Sequence, residues 1–305
     1  MMNEEDKKIE DWLERLQMQR KIDVDKNWKQ LHQRIHRDET KRRLLRIAYR
    51  MAAVLLLPAL LLSGYLYQQL NQLESQPIAQ VELTTAYGVV SKVKLSDGSE
   101  VWLNSGSKLI YPSRFEGEKR TVFLSGEAYF HVMSDRTHRF EVQTGHGLVV
   151  SAYGTEFNVQ AYDDETDIIA TLANGNIEVE QTNTRQREDL QPGEQLIYTK
   201  KEGKMQTKEA SLLAETAWRE GKIVFRRTPM QEVVRQLSRH FNVDIQLQGK
   251  ELYEYTYSAT FTTETLTEIL DLLEKTAPIR CEIIHPEPTA DYAFSKKKVW
   301  IHSLP

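Results

Sequence analysis

An apolar segment near the N-terminus constrains this chain more than any other feature. Residues 51–62 (MAAVLLLPALLL) carry no polar side chain. A run of this length is marginal, because a bilayer core about 30 Å thick needs about 20 helical residues to cross it. If Arg50 reaches back to one interface and Tyr65 and Tyr67 lie at the other, the span becomes long enough. The sequence therefore predicts a transmembrane helix over residues 46–70.

Basic residues lie on only one side of this segment. Five precede it, and after them no Lys or Arg occurs before Lys92. They are Lys41, Arg42, Arg43, Arg46 and Arg50. Basic flanks stay in the cytoplasm, so the N-terminus is predicted inside and the C-terminus outside. The alternatives are a cleaved signal, which the long polar leader and the missing A-x-A site disfavour, and a buried soluble helix, which the one-sided charge disfavours.

The first 45 residues are predicted to form a cytoplasmic tail with two short amphipathic helices. Apolar side chains share one face of each helix. They are Ile9, Trp12, Leu13 and Leu16 on the first, and Trp28, Leu31 and Ile35 on the second. So short a segment cannot bury a core of its own, so these faces are predicted to dock on a partner. A weakly structured tail that only anchors the membrane helix is the alternative.

Charge gives no sign of direct nucleic-acid binding. The chain has 305 residues and a net charge of −4. Residues 1–40 hold nine basic and ten acidic side chains, so the positive charge belongs to the membrane flank and not to the tail.

Short alternating runs replace the helical pattern after a polar linker at residues 71–80. The dipeptides Asp97-Gly98 and Asn174-Gly175 each separate two alternating runs, which predicts a hairpin at both places. Further strand signals follow at short spacing, with no helical period up to Lys200. Residues 81–210 are therefore predicted to be an all-β domain, either a sandwich or a solenoid-like stack.

The last region, residues 221–305, mixes strand and helix signals in the order β-α-β-β-α-β-β, which predicts a small α+β domain. Its first helix is predicted to follow Thr228 as N-cap, with Pro229 at the first helical position and Gln231 completing a capping box. The fold class is thus multi-domain: a short α-helical tail, one transmembrane helix, an all-β domain and a small α+β domain.

Four segments of the all-β region resemble a known family. They are LSDGSEVWLNSGSKLIYPSRFEGEKRTVFLSGEAYFHV, YGTEFNVQAY, ANGNIEVE and LQPGEQL, in that order. They resemble the periplasmic domain of FecR-family anti-sigma regulators, which also have a short tryptophan-bearing cytoplasmic tail and one membrane span. The C-terminal region is similar to the domain that often follows in this family and, in element order, to the secretin and TonB short N-terminal module.

The resemblance implies an inner-membrane anti-sigma regulator with a periplasmic C-terminus. Its tail would bind an extracytoplasmic-function sigma factor. Its outer domains would sense a TonB-dependent outer-membrane receptor through the N-terminal signalling domain of that receptor. An open sheet edge or the first helix of the C-terminal domain is a suitable docking surface, and the predicted receptor-binding residues are Ile223, Phe225, Arg235 and Phe241.

Two other functional classes stay open. A membrane-anchored module could bind a glycan or a peptide; Trp102, Tyr111 and Tyr129 exposed on one face would favour it, and burial of Trp102 would count against it. An envelope enzyme would need converging carboxylates or histidines in a cleft. The acidic residues 163–165 are better explained as a solvated turn, and the chain has no P-loop or G-x-G-x-x-G motif. No enzyme activity, cofactor or metal is predicted.

Overall fold

The computed structural model describes residues 4–19, 24–74, 78–284 and 296–304. The chain divides into two compact units, Met1–Pro77 and Ile78–Pro305.

The N-terminal unit consists of two helices. Helix α1 spans Glu4–Gln19, and helix α2 spans Val24–Glu74. The second tail helix and the apolar segment are therefore one continuous helix of 51 residues, which also includes the start of the predicted linker. Within α2, Arg43–Gln69 is long and apolar enough to cross a membrane. Pro58 lies inside this stretch, where it removes one backbone hydrogen bond.

Thirteen strands build the second region. No helix occurs in the described residues between 80 and 209, as the sequence predicts. The strands are β1 (Gln80–Thr84), β2 (Ser91–Lys94), β3 (Glu100–Leu103), β4 (Lys108–Pro112), β5 (Lys119–His131), β6 (Arg139–Thr144), β7 (Leu148–Ala152), β8 (Glu156–Ala161), β9 (Asp167–Asn174), β10 (Ile177–Gln181), β11 (Gln186–Leu190), β12 (Glu194–Thr199) and β13 (Lys204–Glu209).

The long strand β5 belongs to two sheets. Its first half pairs with β4 and β6, and its second half pairs with β3 and β8. One sheet thus has the order β11-β10-β7-β6-β5-β4-β1 and the other β2-β3-β5-β8-β9-β12-β13. Their side chains meet in one core, in which the Phe130 ring lies 6.0 Å from Phe140 of the facing sheet and 5.1 Å from Phe157 of its own. The domain is therefore a β-sandwich, the first of the two predicted architectures.

A glycine lies where β5 passes from one sheet to the other. Gly126 has φ +107°, and a Cβ there would lie 2.3 Å from Ser107 Oγ and 2.6 Å from Ser107 Cα. Both the left-handed backbone and the close approach of β4 therefore require glycine.

The two predicted hairpins have different outcomes. The one at Asp97-Gly98 is confirmed, because β2 and β3 pair and the Asp97 carboxylate accepts a hydrogen bond from the Ser99 N–H at 3.0 Å. The one at Asn174-Gly175 is wrong. Strand β9 pairs with β8 and β12, whereas β10 pairs with β7 and β11. Gly175, at φ +91°, instead lets the chain cross from one sheet to the other.

The C-terminal region has the predicted order of elements. A connector of helix α3 (Leu212–Thr216) and a 3-10 helix (Ala217–Glu220) leads into it. It then contains β14 (Ile223–Pro229), α4 (Met230–Phe241), β15 (Asp244–Gln248), a 3-10 helix (Glu251–Glu254), β16 (Thr256–Phe261), α5 (Leu266–Thr276), β17 (Ile279–Ile284) and β18 (Lys298–Ser303). Strand β14 pairs with β16, and β15, β18 and β17 form a second sheet. The two helices bury Val233, Leu237, Ile269 and Leu273 in this domain's core.

The predicted start of α4 is wrong by about one residue. Pro229 occupies the N-cap position, and no side-chain hydrogen bond caps the helix there. Thr228 lies in β14, where its hydroxyl accepts a hydrogen bond from the Arg226 N–H at 3.0 Å beside a register shift of the strand. A capping box occurs on α5 instead, between Thr265 and Glu268.

Candidate functional site

Helix α1 leaves its apolar face exposed. Ile9, Trp12, Leu13 and Leu16 are 57%, 64%, 48% and 39% exposed. Because they are spaced i, i+3, i+4 and i+7, they lie on one side of the helix. An exposed apolar stripe on a helix is typical of a surface that a partner covers.

Of the three residues on the second predicted face, only Trp28 has a described side chain. Trp28 of α2 is exposed, while the side chains of Leu31 and Ile35 lie outside the described ones. Whether all three residues form one recognition face therefore stays a prediction.

The apolar stretch of α2 is exposed along its length. None of the window that is apolar enough to cross a membrane is buried by the described part of the protein. Its basic end holds Arg43, Arg46 and Arg50, which are exposed, while the side chains of Lys41 and Arg42 lie outside the described ones. A helix with leucines on every side is stable in lipid, where the apolar surface avoids water.

The predicted receptor-binding residues separate into two groups. Ile223 and Phe225 are 8% and 0% exposed and belong to the core of the C-terminal domain. These side chains hold β14 in the domain, so docking at this strand would use its main chain, and that role stays a prediction. Arg235 pairs with Glu232 on the same helix at 2.6 Å, and Phe241 is half-buried; their role in docking stays a prediction.

The three aromatic residues of the binding-module alternative do not form an open platform. Tyr129 is 2% exposed, and its hydroxyl donates to Glu156 at 2.8 Å. Trp102 is half-buried, with Arg219 of the connector 5.6 Å from its ring centroid. Tyr111 is half-buried against the sandwich core. Their exposed surface therefore does not favour a glycan site.

The acidic turn at residues 163–165 has a partner that the sequence does not predict. Glu165 is 7% exposed and forms an ion pair with Arg239 of helix α4. Asp164 pairs with the same guanidinium at 2.8 Å, whereas Asp163 accepts a hydrogen bond from Ser125 at 3.0 Å. The turn is therefore not simply solvated, because it contacts the C-terminal domain. No local motif predicts this, since the partner lies more than 70 positions away.

A small polar cavity of about 60 Å³ lies beside this contact, lined by side chains that include Glu127, Glu215, Trp218 and Arg239. The Glu127 carboxylate accepts hydrogen bonds from Asn104 at 2.7 Å and Asn158 at 2.9 Å, and no cation is among these partners. Burial raises the pKa of Glu127 to about 8 and that of Glu215 to about 7. Both carboxyl groups thus hold a proton at higher pH than an exposed glutamate does.

Metal-binding geometry does not occur in the described residues. No group of three or more His, Cys, Asp or Glu side chains among them converges as metal ligands would. The single cysteine, Cys281, is half-buried, and burial raises the pKa of its thiol to about 12, so the reactive thiolate is disfavoured.

Family models match both the sandwich and the C-terminal region of the chain. The FecR protein model matches residues 81–178, and the model of the FecR C-terminal region matches residues 222–287. The chain belongs to the FecR family. The sandwich domain thus carries the FecR match, and the α+β domain carries the C-terminal match.

Solved structures resemble this FecR-family chain over about three quarters of its length. Two crystal structures, at 1.65 Å and 2.50 Å resolution, are each of a candidate anti-sigma factor from Parabacteroides distasonis ATCC 8503. Their TM-scores are 0.65 and 0.64, and their sequences are 27% and 26% identical to this one. Each alignment covers 74% of this chain and 100% of the crystallised chain. No curated protein matches the sequence.

Proposed function

We propose that this FecR-family chain is a single-pass membrane anti-sigma regulator. Residues 1–45 hold an extracytoplasmic-function sigma factor in the cytoplasm, and residues 46–70 cross the inner membrane. The periplasmic part comprises the sandwich, residues 81–210, and the α+β domain, residues 221–305. Family membership and the likeness to the Parabacteroides structures support anti-sigma regulation.

The apolar face of α1 is the observation that carries this proposal. Four large apolar side chains on one side of a helix lie in solvent, and covering them on a partner removes that surface from water at roughly 25 cal/mol per Å². Tryptophan residues are the side chains most often found at the energetic centre of such interfaces. Trp12 and Trp28 are therefore the proposed anchors.

The second compact unit, Ile78–Pro305, here called the outer unit, passes on a signal without chemistry of its own. The N-terminal signalling domain of a TonB-dependent receptor is the proposed partner, and it docks on α4 near Arg235 and Phe241. A ligand shifts a conformational equilibrium only by its difference in affinity for the two states. The receptor domain in its signalling state must therefore bind one conformation of this protein better than the other.

Capture of a sigma factor from the native host tests the cytoplasmic part. The full chain, solubilised from membranes through a C-terminal affinity tag, is expected to carry a sigma factor that mass spectrometry identifies. The double variant Trp12→Ala/Trp28→Ala should weaken this complex at least about tenfold, since each buried anchor is worth more than about 1 kcal/mol. The matched control is Trp300→Ala. It also removes a partly exposed tryptophan, but from β18, outside the proposed sigma-binding helices, where the side chain is 36% exposed.

Two results would contradict the sigma-binding role. One is an intact, monodisperse full chain that captures no sigma factor. The other is a double variant that captures as much as the Trp300→Ala control. Either result makes a membrane-anchored binding module the leading account.

Protease digestion of spheroplasts tests the orientation. A protease added outside should degrade the sandwich and the α+β domain and leave an N-terminal fragment protected. Protection of the C-terminal fragment would reverse the proposed topology.

A further inference from the structure

The last turn of helix α4 reaches the sandwich domain. Arg239 is 9% exposed, and its guanidinium pairs with Glu165 and, at 2.8 Å, with Asp164. The guanidinium also lies 3.7 Å from the ring centroid of Tyr162. One arginine side chain of the C-terminal domain is thus held by an ion-pair fork and a stacked ring of the other domain.

The main chain of the same residue makes a second connection. The Arg239 carbonyl accepts hydrogen bonds from Ser105 Oγ at 2.8 Å and from the Gly88 N–H at 3.0 Å. The last four carbonyls of a helix have no partner within it, so the sandwich domain caps the end of α4. Gly88 has φ +79°, and a Cβ there would lie 3.1 Å from the His240 carbonyl oxygen, which is why glycine fits at this close approach.

The connector between the domains packs on the same side of the sandwich. Arg219 lies 3.6 Å from the ring centroid of Tyr129. Ala217 is buried, and Trp218 Nε1 is enclosed without a hydrogen-bond partner among the described residues. Trp218 and Arg219 are half-buried and Glu220 is exposed, so the connector is partly covered on the sandwich domain.

We propose that these contacts form a latch, here named the Arg239 latch and made of Arg239, Asp164, Glu165, Tyr162, Ser105 and Gly88, which locks the two outer domains into one body. Opening the latch frees α4 and exposes the connector. Separation of the domains returns both charges to water, whereas loss of one partner alone would leave the other buried without compensation. The latch is a property of the outer unit, and it does not depend on which partner the chain binds.

Limited proteolysis of the full chain in detergent micelles tests the latch. Trypsin cleaves after arginine, and the bond after Arg219 lies within the 3-10 helix of the connector. The double variant Arg239→Met/Glu165→Gln removes the ion pair without leaving a buried charge. Its rate of cleavage after Arg219 should rise at least about tenfold over that of the unaltered chain.

The sandwich domain offers a matched control. Arg187→Met/Glu180→Gln removes an ion pair of the same chemistry, 3.0 Å long, that lies wholly between strands β11 and β10. This control should be cleaved after Arg219 at the unaltered rate. Equal rates in the latch variant and the control would overturn the proposal.

The distance between the two domains provides a second test of the latch. Spin labels at Glu188→Cys in β11 and Lys275→Cys in α5, in a Cys281→Ser background, report the separation of the two domains. A narrow distance distribution should broaden in the latch variant but not in the control; an unchanged distribution would overturn the latch. If circular dichroism shows that the latch variant does not fold, Arg239→Lys is judged by the same two criteria, because a lysine ammonium cannot form the fork.

Discussion

The N-terminal helices and the sandwich domain use aromatic side chains in opposite ways. In α1, Trp12 is 64% exposed, whereas in β5 the ring of Phe130 is completely buried between two other phenylalanine rings. Apolar surface in the sandwich stabilises the fold of this chain, whereas apolar surface on α1 and α2 becomes stabilising only when lipid or a partner covers it. The difference separates the part of the molecule that folds by itself from the part that is completed by its surroundings.

Truncation of Phe130 should give the largest loss of stability. Phe130→Ala is expected to lower the free energy of unfolding by about 3–5 kcal/mol, the range for a buried phenylalanine. Urea denaturation of the full chain in detergent micelles measures this. The matched control is Phe123→Ala on the same strand, because Phe123 is 50% exposed and should change stability by about 0.5 kcal/mol or less. Equal losses at the two positions would contradict the assigned core.

A charge in the middle of the apolar stretch of α2 should have the next largest effect. Leu57→Lys is expected to disfavour membrane insertion by about 3 kcal/mol, the cost of a lysine at the centre of a spanning helix. Alkaline extraction of membranes measures the inserted fraction. Leu45→Lys is the control, since it lies at the basic end, where a lysine can reach the interface. Full insertion of both variants would argue against a span centred on residue 57.

The sequence predicts those features of the fold that depend on neighbouring residues. Alternating runs give the strands, and helical spacing gives α4 and α5 in the right order, because each element must turn one apolar face inward. The hairpin at Asp97-Gly98 also follows from local turn chemistry.

The wrong predictions arise where contacts between residues far apart in the sequence determine the structure. Asn174-Gly175 has the composition of a hairpin turn, yet β9 and β10 each find partners elsewhere in the two sheets. Thr228 has the composition of an N-cap, but pairing of β14 with β16 keeps it in the strand. Glu165 resembles a residue of a solvated turn until Arg239 is placed beside it. Among the candidate interface residues, helical spacing predicts which side chains share one face of α1. The burial of Ile223 and Phe225, in contrast, depends on the packing of the whole C-terminal domain.

Stability of the unit Ile78–Pro305 should depend on pH through Glu127. Its pKa rises from an ordinary value of 4.5 to about 8 in the folded protein, so folding takes up a proton in this interval. The stabilisation is therefore complete below pH 4.5 and is lost as the pH rises to about 8, by at most about 1.4 kcal/mol per pH unit. Urea denaturation at pH 6 and pH 7 measures the slope.

A variant isolates the contribution of this carboxyl group. Glu127→Gln should reduce the slope, whereas Glu209→Gln, at an exposed position of β13, should leave it unchanged. A slope that is the same in all three proteins would show that the Glu127 carboxyl group is not protonated in the folded state.

Removal of Trp12 should have the smallest effect on stability. Trp12→Ala is expected to change the free energy of unfolding by no more than about 0.5 kcal/mol, because the side chain lies in solvent. The measurement is the same urea denaturation as for Phe130→Ala, with Trp12→Phe as a control that retains an aromatic ring. A loss as large as that of Phe130→Ala would mean that α1 is packed within this chain, and its apolar face would then be unavailable to a sigma factor. A negligible loss combined with a weakened sigma complex would assign the exposed ring to recognition, since the same surface cannot stabilise the free chain and also lie open for a partner.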